Sequence, residues 1–533
     1  MKKKIIKSHE HSHQARDRER WKTKLGVVMA MSANAVGLGN FLRFPVQCAA
    51  NGGGAFMIPY FIAFLLLGIP LMWIEWGIGR FGGKYGHGTT PGMFHYLWNH
   101  PVAKYVGAIG VAIPFALVLY YTYIVSWTLA YSIFSIVGSY FGIETYEGMV
   151  SFLSAYQGKV SNVYFRDIGT AYIFYGITLG LMVWILSRGI SKGIEMLANA
   201  AIPLIILFGI ILVARVVTLG TPDPSFPERN VLNGFGYLWN PDLKMLTQSK
   251  VWLAATGQIF FTLSVGFGAI QTYASYLKEK DDVVLSGLGT SSTNGFAEVI
   301  LGGSIAIPVT VAFFGLTRTQ DIAASGAFDL GFFAMPIIFQ KMLFGQIFGA
   351  IWFFLLFLAG ITSSVAMAQP LMAFLQEEFK IVRKKAALIV GAFIFFLSQP
   401  VILFLKHGFL NEMDFWIGTL GLVVFAIIEV ILFLWVFGPK NAWKEIIAGA
   451  DIKLPRFFFP IMRYVTPVYL FILLGFWFFQ DGIDVLMMKG VPEANYPYIW
   501  FARFLLATIL MAMIFLVWVA WQKRHVIQRR IPE

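Results

Sequence analysis

Cysteine is almost missing: Cys48 is the single one in 533 residues, which excludes an internal disulfide framework. Charge is scarce too, at 13% of residues, too little to solvate a soluble chain of this length. No Walker A loop is present. Gly82-Gly83-Lys84-Tyr85 lacks both the hydroxyl residue after the lysine and the glycine at the required spacing, so energy from ATP bound to this chain is not expected. Gly77-Ile78-Gly79-Arg80-Phe81-Gly82 spells G-x-G-x-x-G, but it closes an apolar helix instead of following a strand, so it is no dinucleotide fingerprint. No nucleophile, base and orienting group converge in the sequence, and the reading is that the chain is not an enzyme. His9, His11 and His13 alternate in a charged tail without the carboxylates or cysteines that would complete a metal site.

What is there is apolar. Hydrophobic residues make up 58% of the chain and aromatics 17%, and runs of about 20 apolar residues, each long enough to cross a bilayer, recur about twelve times. The fold class expected is an all-α polytopic membrane protein in one unit. The net charge of +13 sits in short segments at helix ends, as the positive-inside rule requires, and not in a patch for nucleic acid. Lys2, Lys3, Lys4, Lys7, Arg16, Arg18, Arg20, Lys22 and Lys24 place the N-terminus in the cytoplasm. Arg188 and Lys192, Arg383 to Lys385, and Lys523 to Arg530 mark later inside segments. The first apolar run is far longer than a signal h-region, so no removable leader is expected.

One run departs from the rest. In VVMAMSANAVGLGNFLRFPVQ, residues 27 to 47, Asn34, Gly37, Gly39 and Asn40 fall at the centre of the span. Glycine disfavours the helix, and peptide groups exposed at membrane depth are tolerated only where they are buried in protein or line a cavity. Val36-Gly37-Leu38-Gly39 returns as Val265-Gly266-Phe267-Gly268 in a second apolar run. Two interrupted spans in corresponding halves are the sequence signature of a transporter's binding site. A break bares amides at the start of one half-helix, which attract an anion, and carbonyls at the end of the other, which attract a cation. Hydroxyl, amide and carbonyl oxygens suit Na⁺ and not a transition metal. Other polar groups lie within spans: Glu75, Asn294, Glu298 and the run Thr362-Ser363-Ser364. An intramembrane acid is a functional hypothesis by default.

The segments NAVGLGNFLRFPVQ, NGGGAFMIPY, GIPLMWIEW, SRGISKGIE, GQIFFTLSVGFGAI, AEVILGGSI and EMDFW, spread from about Arg18 to Arg524, resemble the neurotransmitter:sodium symporter family, its bacterial amino-acid transporters most closely. The resemblance implies a LeuT-type fold, a 5+5 inverted repeat with helices 1 and 6 unwound at mid-membrane. The divisions would be a cytoplasmic tail (1–20), a first repeat (21–218), an extracellular connection (219–250), a second repeat (251–438), two peripheral helices (439–522) and a cytoplasmic tail (523–533). The activity implied is sodium-coupled import of neutral, hydrophobic amino acids across the plasma (inner) membrane. An amino-acid-sensing receptor that keeps the site without cycling is the alternative, and a homodimer is left open.

The same resemblance assigns residues. Two Na⁺ ions are implied. The first would meet Ala35, Asn40, Thr262 and Asn294 together with the substrate carboxylate. The second would meet Ala33, Val36, Ala359, Thr362 and Ser363. The substrate carboxylate would face Leu38, Gly39 and Tyr121, and the amine would face Ala35, Phe261, Thr262 and Ser264. The side-chain pocket would be Leu117, Phe261, Phe267, Ser363 and Met367, and Asn34 is placed in the same substrate site. Arg43 and Asp414 would gate the outer path, and Arg18, Ser275, Tyr276 and Glu377 the inner one. Glu377 replaces the family's usual aspartate. Gly37 stands where monoamine carriers have an aspartate, so the substrate must bring its own carboxylate. Glu298 stands where chloride-dependent members have a small hydroxyl residue, which implies chloride independence.

Overall fold

A computed structural model describes residues 19–326 and 328–530. Arg18 and the tail histidines lie outside the described residues. Among the described residues, ten helices of 20 to 35 residues are long and apolar enough to cross a membrane. We number the spans α2 (Gly54–Lys84), α3 (Ala103–Val137), α4 (Gly169–Arg188), α5 (Ile190–Val217), α7 (Val283–Phe314), α8 (Gly345–Phe379), α9 (Arg383–Leu403), α10 (Phe409–Val436), α11 (Phe458–Gln480) and α12 (Glu493–Lys523). The numbers 1 and 6 belong to two helices in pieces. These are α1a (Lys24–Ala35) with α1b (Gly39–Ala50), bent by 50°, and α6a (Ser249–Leu263) with α6b (Ala269–Ala274).

A second bent pair, Leu316–Ser325 with Leu330–Gln340, turns through 119°. It folds back on itself as a helical hairpin. The connection 219–250 is not a bare loop: it carries a helix, Val231–Trp239, capped by Asn230 Oδ1 accepting from Asn233 N at 2.8 Å. Pro241 next to this helix bridges Gly53 at the start of α2. Asp414 lies inside α10.

Burial sorts the helices into an inner and an outer set. The apolar windows of α3, α7 and α8 are 83% or more buried, whereas those of α5, α11 and α12 are one-third buried or less. With lipid as apolar as leucine, exposed apolar faces cost nothing in a bilayer, so the outer set needs no cover. The inner helices pack around the two broken ones, with α8 running along α3.

Candidate functional site

The two breaks are built differently. Helix α1a stops at Ala35 because Val36 turns to extended backbone, φ −74° and ψ 94°. Neither Gly37 nor Gly39 has positive φ; each is needed for space. A Cβ on Gly37 would lie 2.9 Å from both Ser363 Oγ and Tyr121 Oη, and one on Gly39 would lie 2.7 Å from the Phe261 ring. In helix 6 the backbone itself demands glycine. Ser264 (φ 54°), Gly266 (φ 77°) and Gly268 (φ 80°) all take left-handed conformations, which only glycine adopts without strain. The twin motifs therefore share letters and not mechanism.

Several backbone groups of the α1 break have partners. Gly37 N donates to Asn40 Oδ1 at 2.8 Å, and Leu38 N donates to the Tyr121 hydroxyl at 3.1 Å. The Asn34 carbonyl accepts from Ser264 Oγ at 3.2 Å and from Ser363 Oγ at 3.1 Å. These bonds tie α1, α3, α6 and α8 into one knot. Inside it lies a cavity lined by Asn34, Ala35, Gly37, Gly39, Asn40, Leu117, Tyr121, Phe261, Thr262, Ser264, Phe267, Ser363 and Met367. Of the substrate residues expected from sequence, Leu38 alone stays off this wall, contributing its N–H to Tyr121 from just outside.

Beside the cavity three helices bring oxygens together. Asn294 Oδ1 lies 2.8 Å from Asn40 Nδ2 and 3.1 Å from the carbonyl oxygens of both Ala35 and Thr262. Turning the amide end for end would give those carbonyls a donor; a hard cation would hold the same three oxygens with the amide as it stands. Oxygens meeting in a buried pocket are the chemistry of an alkali-ion site. The second set is less converged. Thr362 Oγ1 and Ser363 Oγ lie 2.9 and 3.1 Å from the Ala359 carbonyl and donate to it, as hydroxyls in apolar helices commonly do. Ala33 and Val36 are buried at the end of α1a, which packs on α8.

Glu298 is buried at the flank of the first oxygen set. Its carboxylate accepts from the Tyr60 hydroxyl and from Gln258 Nε2, the latter at 2.5 Å. Sequence reasoning named Glu298 but neither donor. Both stand in apolar spans, where a lone Tyr or Gln is the available signal.

The outer pair is apart. No ion pair within 4.0 Å joins Arg43 to Asp414. The Arg43 guanidinium sits 4.6 Å over the Phe261 ring, and Asp414 accepts from the Tyr120 hydroxyl at 2.7 Å. Beyond Arg43 and Phe261 a second cavity opens, lined among others by Gln47, Lys250 and Trp477. At the other end, Tyr276 accepts from Gln369 Nε2 at 3.0 Å, Ser275 Oγ donates to Thr272 O at 2.6 Å, and Glu377 accepts from Gly88 N at 2.7 Å. Unforeseen there were Trp21, whose indole N–H donates to Tyr273 O, and Glu195, which accepts from Lys22 N and Thr23 Oγ1. They clamp the start of α1a to α6b and α5.

A model of the sodium:neurotransmitter symporter family matches residues 18–141 and 146–526. This chain belongs to that family. The symporter is 31% identical over 518 residues to an uncharacterized sodium-dependent transporter of Methanocaldococcus jannaschii, covering 95% of this chain and 98% of that one. It is also 25% identical to a sodium- and chloride-dependent betaine transporter of Caenorhabditis elegans, over 87% of this chain and 81% of that one. The crystal structure of MhsT in complex with L-phenylalanine superposes with a TM-score of 0.73 at 27% identity, covering 86% of this symporter and 99% of MhsT. The protein is thus an integral membrane transporter that depends on sodium, and not an enzyme.

Proposed function

We propose that this symporter imports neutral, hydrophobic amino acids with two Na⁺ ions by alternating access around the cavity between α1, α3, α6 and α8. The observation that carries the proposal is the meeting of Ala35 O, Thr262 O and Asn294 Oδ1 beside the Leu38 amide and Tyr121 hydroxyl. A zwitterion suits that layout, since its carboxylate can face both the cation and the hydroxyl, and each charge lowers the other's desolvation cost. Gly37 leaves no room for an acidic side chain, so a substrate without its own carboxylate lacks an anion for this cation. Leu117, Phe267 and Met367 offer an apolar wall, and MhsT was crystallised with L-phenylalanine.

In this reading the first ion meets Ala35, Asn40, Thr262 and Asn294, and the second Ala33, Val36, Ala359, Thr362 and Ser363. Arg43 with Asp414, and Arg18 with Ser275, Tyr276 and Glu377, control access from either side. Basic segments such as Arg188 and Lys192 put the termini in the cytoplasm. Energetics favour two ions. One Na⁺ falling through about 100 mV gains about 2.3 kcal/mol, and a tenfold gradient adds about 1.4 kcal/mol. Two ions therefore supply roughly 7 kcal/mol, enough for an accumulation ratio on the order of 10⁵, whereas one supplies only hundreds.

The test is uptake of the twenty amino acids, one by one, into proteoliposomes with and without an inward sodium gradient. Concentrative uptake of leucine- or phenylalanine-like substrates is expected, with none for amines that lack a carboxylate. Binding without accumulation would reassign the protein as a sensor. Chloride offers a separate check. Because the Glu298 carboxylate already engages Tyr60 and Gln258, uptake is expected to be unchanged when gluconate replaces chloride. Uptake that collapses would refute that role for Glu298.

A further inference from the structure

Trp416, Leu420 and Val424 stand four residues apart on α10 and make one row of side chains along it. On each side of that row lies a furrow. The first, about 600 Å³, runs between α3, α10 and α12, with Ala112 and Ala116 on one bank and Ala507 and Leu510 on the other. The second, about 470 Å³, runs between α10 and α11, where Phe471, Gly475 and Phe478 line it. Both furrows include Trp416, Leu420, Val424 and Leu486, so the row is a ridge between two troughs. Small residues give them depth: a Cβ on Gly475 would meet nothing within 4 Å.

Neither furrow shares a residue with the substrate cavity. Their walls are apolar apart from Arg503, whose donors are taken by Glu412 at 2.6 Å and by the carbonyls of Val485 and Leu486. Phe471, Phe478, Leu486 and Trp500 are 41 to 57% exposed, so the furrows open sideways, toward the bilayer. An apolar hollow left empty there forfeits dispersion contacts on one side, which a hydrocarbon chain restores. The dimensions choose the occupant. From Trp416 to Val424 the ridge runs about 12 Å at helical rise, nearly the depth of one leaflet, whereas a helix of a second copy would need a groove through the whole core of about 30 Å. Trp416, Trp477 and Trp500 stand toward the end where α11 passes to α12, and tryptophan marks the headgroup level. In that connection Lys489 Nζ lies 3.2 Å from Asp484 Oδ1, with both side chains more than half exposed. Such a pair contributes little to stability, and its two charges complement the phosphate and ammonium of a zwitterionic headgroup.

We propose that one diacyl phospholipid, from the leaflet opposite the C-terminus, sits astride α10 with an acyl chain in each furrow and its headgroup at Lys489 and Asp484. The shared glycerol makes entry of the second chain intramolecular once the first is seated, so two chains hold far better than one. Bound in this way, the lipid braces α10 against α3, α11 and α12 at the turn that carries Asp414. The inference does not depend on which substrate the symporter carries.

Native mass spectrometry of the full chain in detergent, with dioleoyl phosphatidylethanolamine added, tests the proposal. One lipid per chain should be retained under activation that strips the others, and the one-chain lysolipid with the same headgroup should bind about tenfold more weakly. Gly475→Leu, which fills the second furrow, and Ala507→Trp, which fills the first, should each lower retention about tenfold. Two variants at separate furrows keep the result readable if one fails to fold. Gly180→Leu on α4, where a Cβ also meets nothing within 4 Å, is the control and should retain lipid as the wild type does. The proposal is overturned by a wild type that retains no lipid, by equal retention of the one-chain lipid, by furrow variants that retain as much as the wild type, or by an equal loss in the control. A dimer that Gly475→Leu dissociates would also overturn it, because the furrow would then hold a second copy of the chain.

Discussion

Replacing Asn294 by alanine is expected to weaken sodium binding about a hundredfold, close to 3 kcal/mol. The residue stands on α7, yet its amide reaches Asn40 Nδ2 of α1b at 2.8 Å and Thr262 Oγ1 of α6a at 2.9 Å, and it faces the Ala35 and Thr262 carbonyls at 3.1 Å. Alanine removes the side chain proposed to ligate the first cation and its hydrogen bonds to Asn40 and Thr262. Asn40 Nδ2 would keep Thr262 Oγ1 at 3.1 Å and the Asn294 carbonyl at 3.4 Å, so the fold should survive with a stability loss of about 1–3 kcal/mol. Equilibrium binding of radioactive sodium to the purified protein measures the effect directly. Asn294→Asp, which retains an oxygen, should bind sodium more tightly than the alanine variant. An alanine variant with wild-type sodium affinity would remove the first cation site from the account.

The second large effect is structural. Gly268→Ala places a methyl group where a Cβ would sit 2.0 Å from the Gly110 carbonyl oxygen, at φ 80°. The left-handed backbone alone costs about 1–2 kcal/mol for a non-glycine residue, and the clash is with backbone of α3, which has no side chain to swing away. We expect most of the protein to be lost from the folded fraction, read as a collapsed monodisperse peak in detergent and a much lower melting temperature. Gly257→Ala, in the preceding half-helix, is the control. A Cβ there meets nothing within 4 Å, and exchanging an interior helical glycine for alanine favours the helix by up to about 1 kcal/mol. If both variants behaved alike, the close approach of α3 to the helix 6 break would not be what requires glycine at 268.

These contrasts show what can be read from letters alone. Polar residues and glycines at the centre of one apolar run revealed the first interruption, because nothing in a bilayer solvates an isolated amide, and the recurrence of the glycine motif revealed the second. The repeated glycine pair did not reveal that Gly37 is needed for room alone while Gly268 is needed for room and for backbone conformation, since both requirements write the same residue. The outer pair illustrates another limit. Arg43 and Asp414 are legible as candidates, but whether they touch depends on how α1 and α10 stand, and here Arg43 lies over Phe261 while Asp414 holds Tyr120.

By itself the sequence determined that the chain lives in a membrane, roughly where its spans run, and which two of them are interrupted. Hydropathy, charge at helix ends and misplaced glycine are local properties that act before any helix meets another. Only the tertiary structure decided which oxygens converge. The contacts of Asn40 with Thr262 and Asn294 join positions 222 and 254 residues apart, and such meetings are set by the packing of helix against helix.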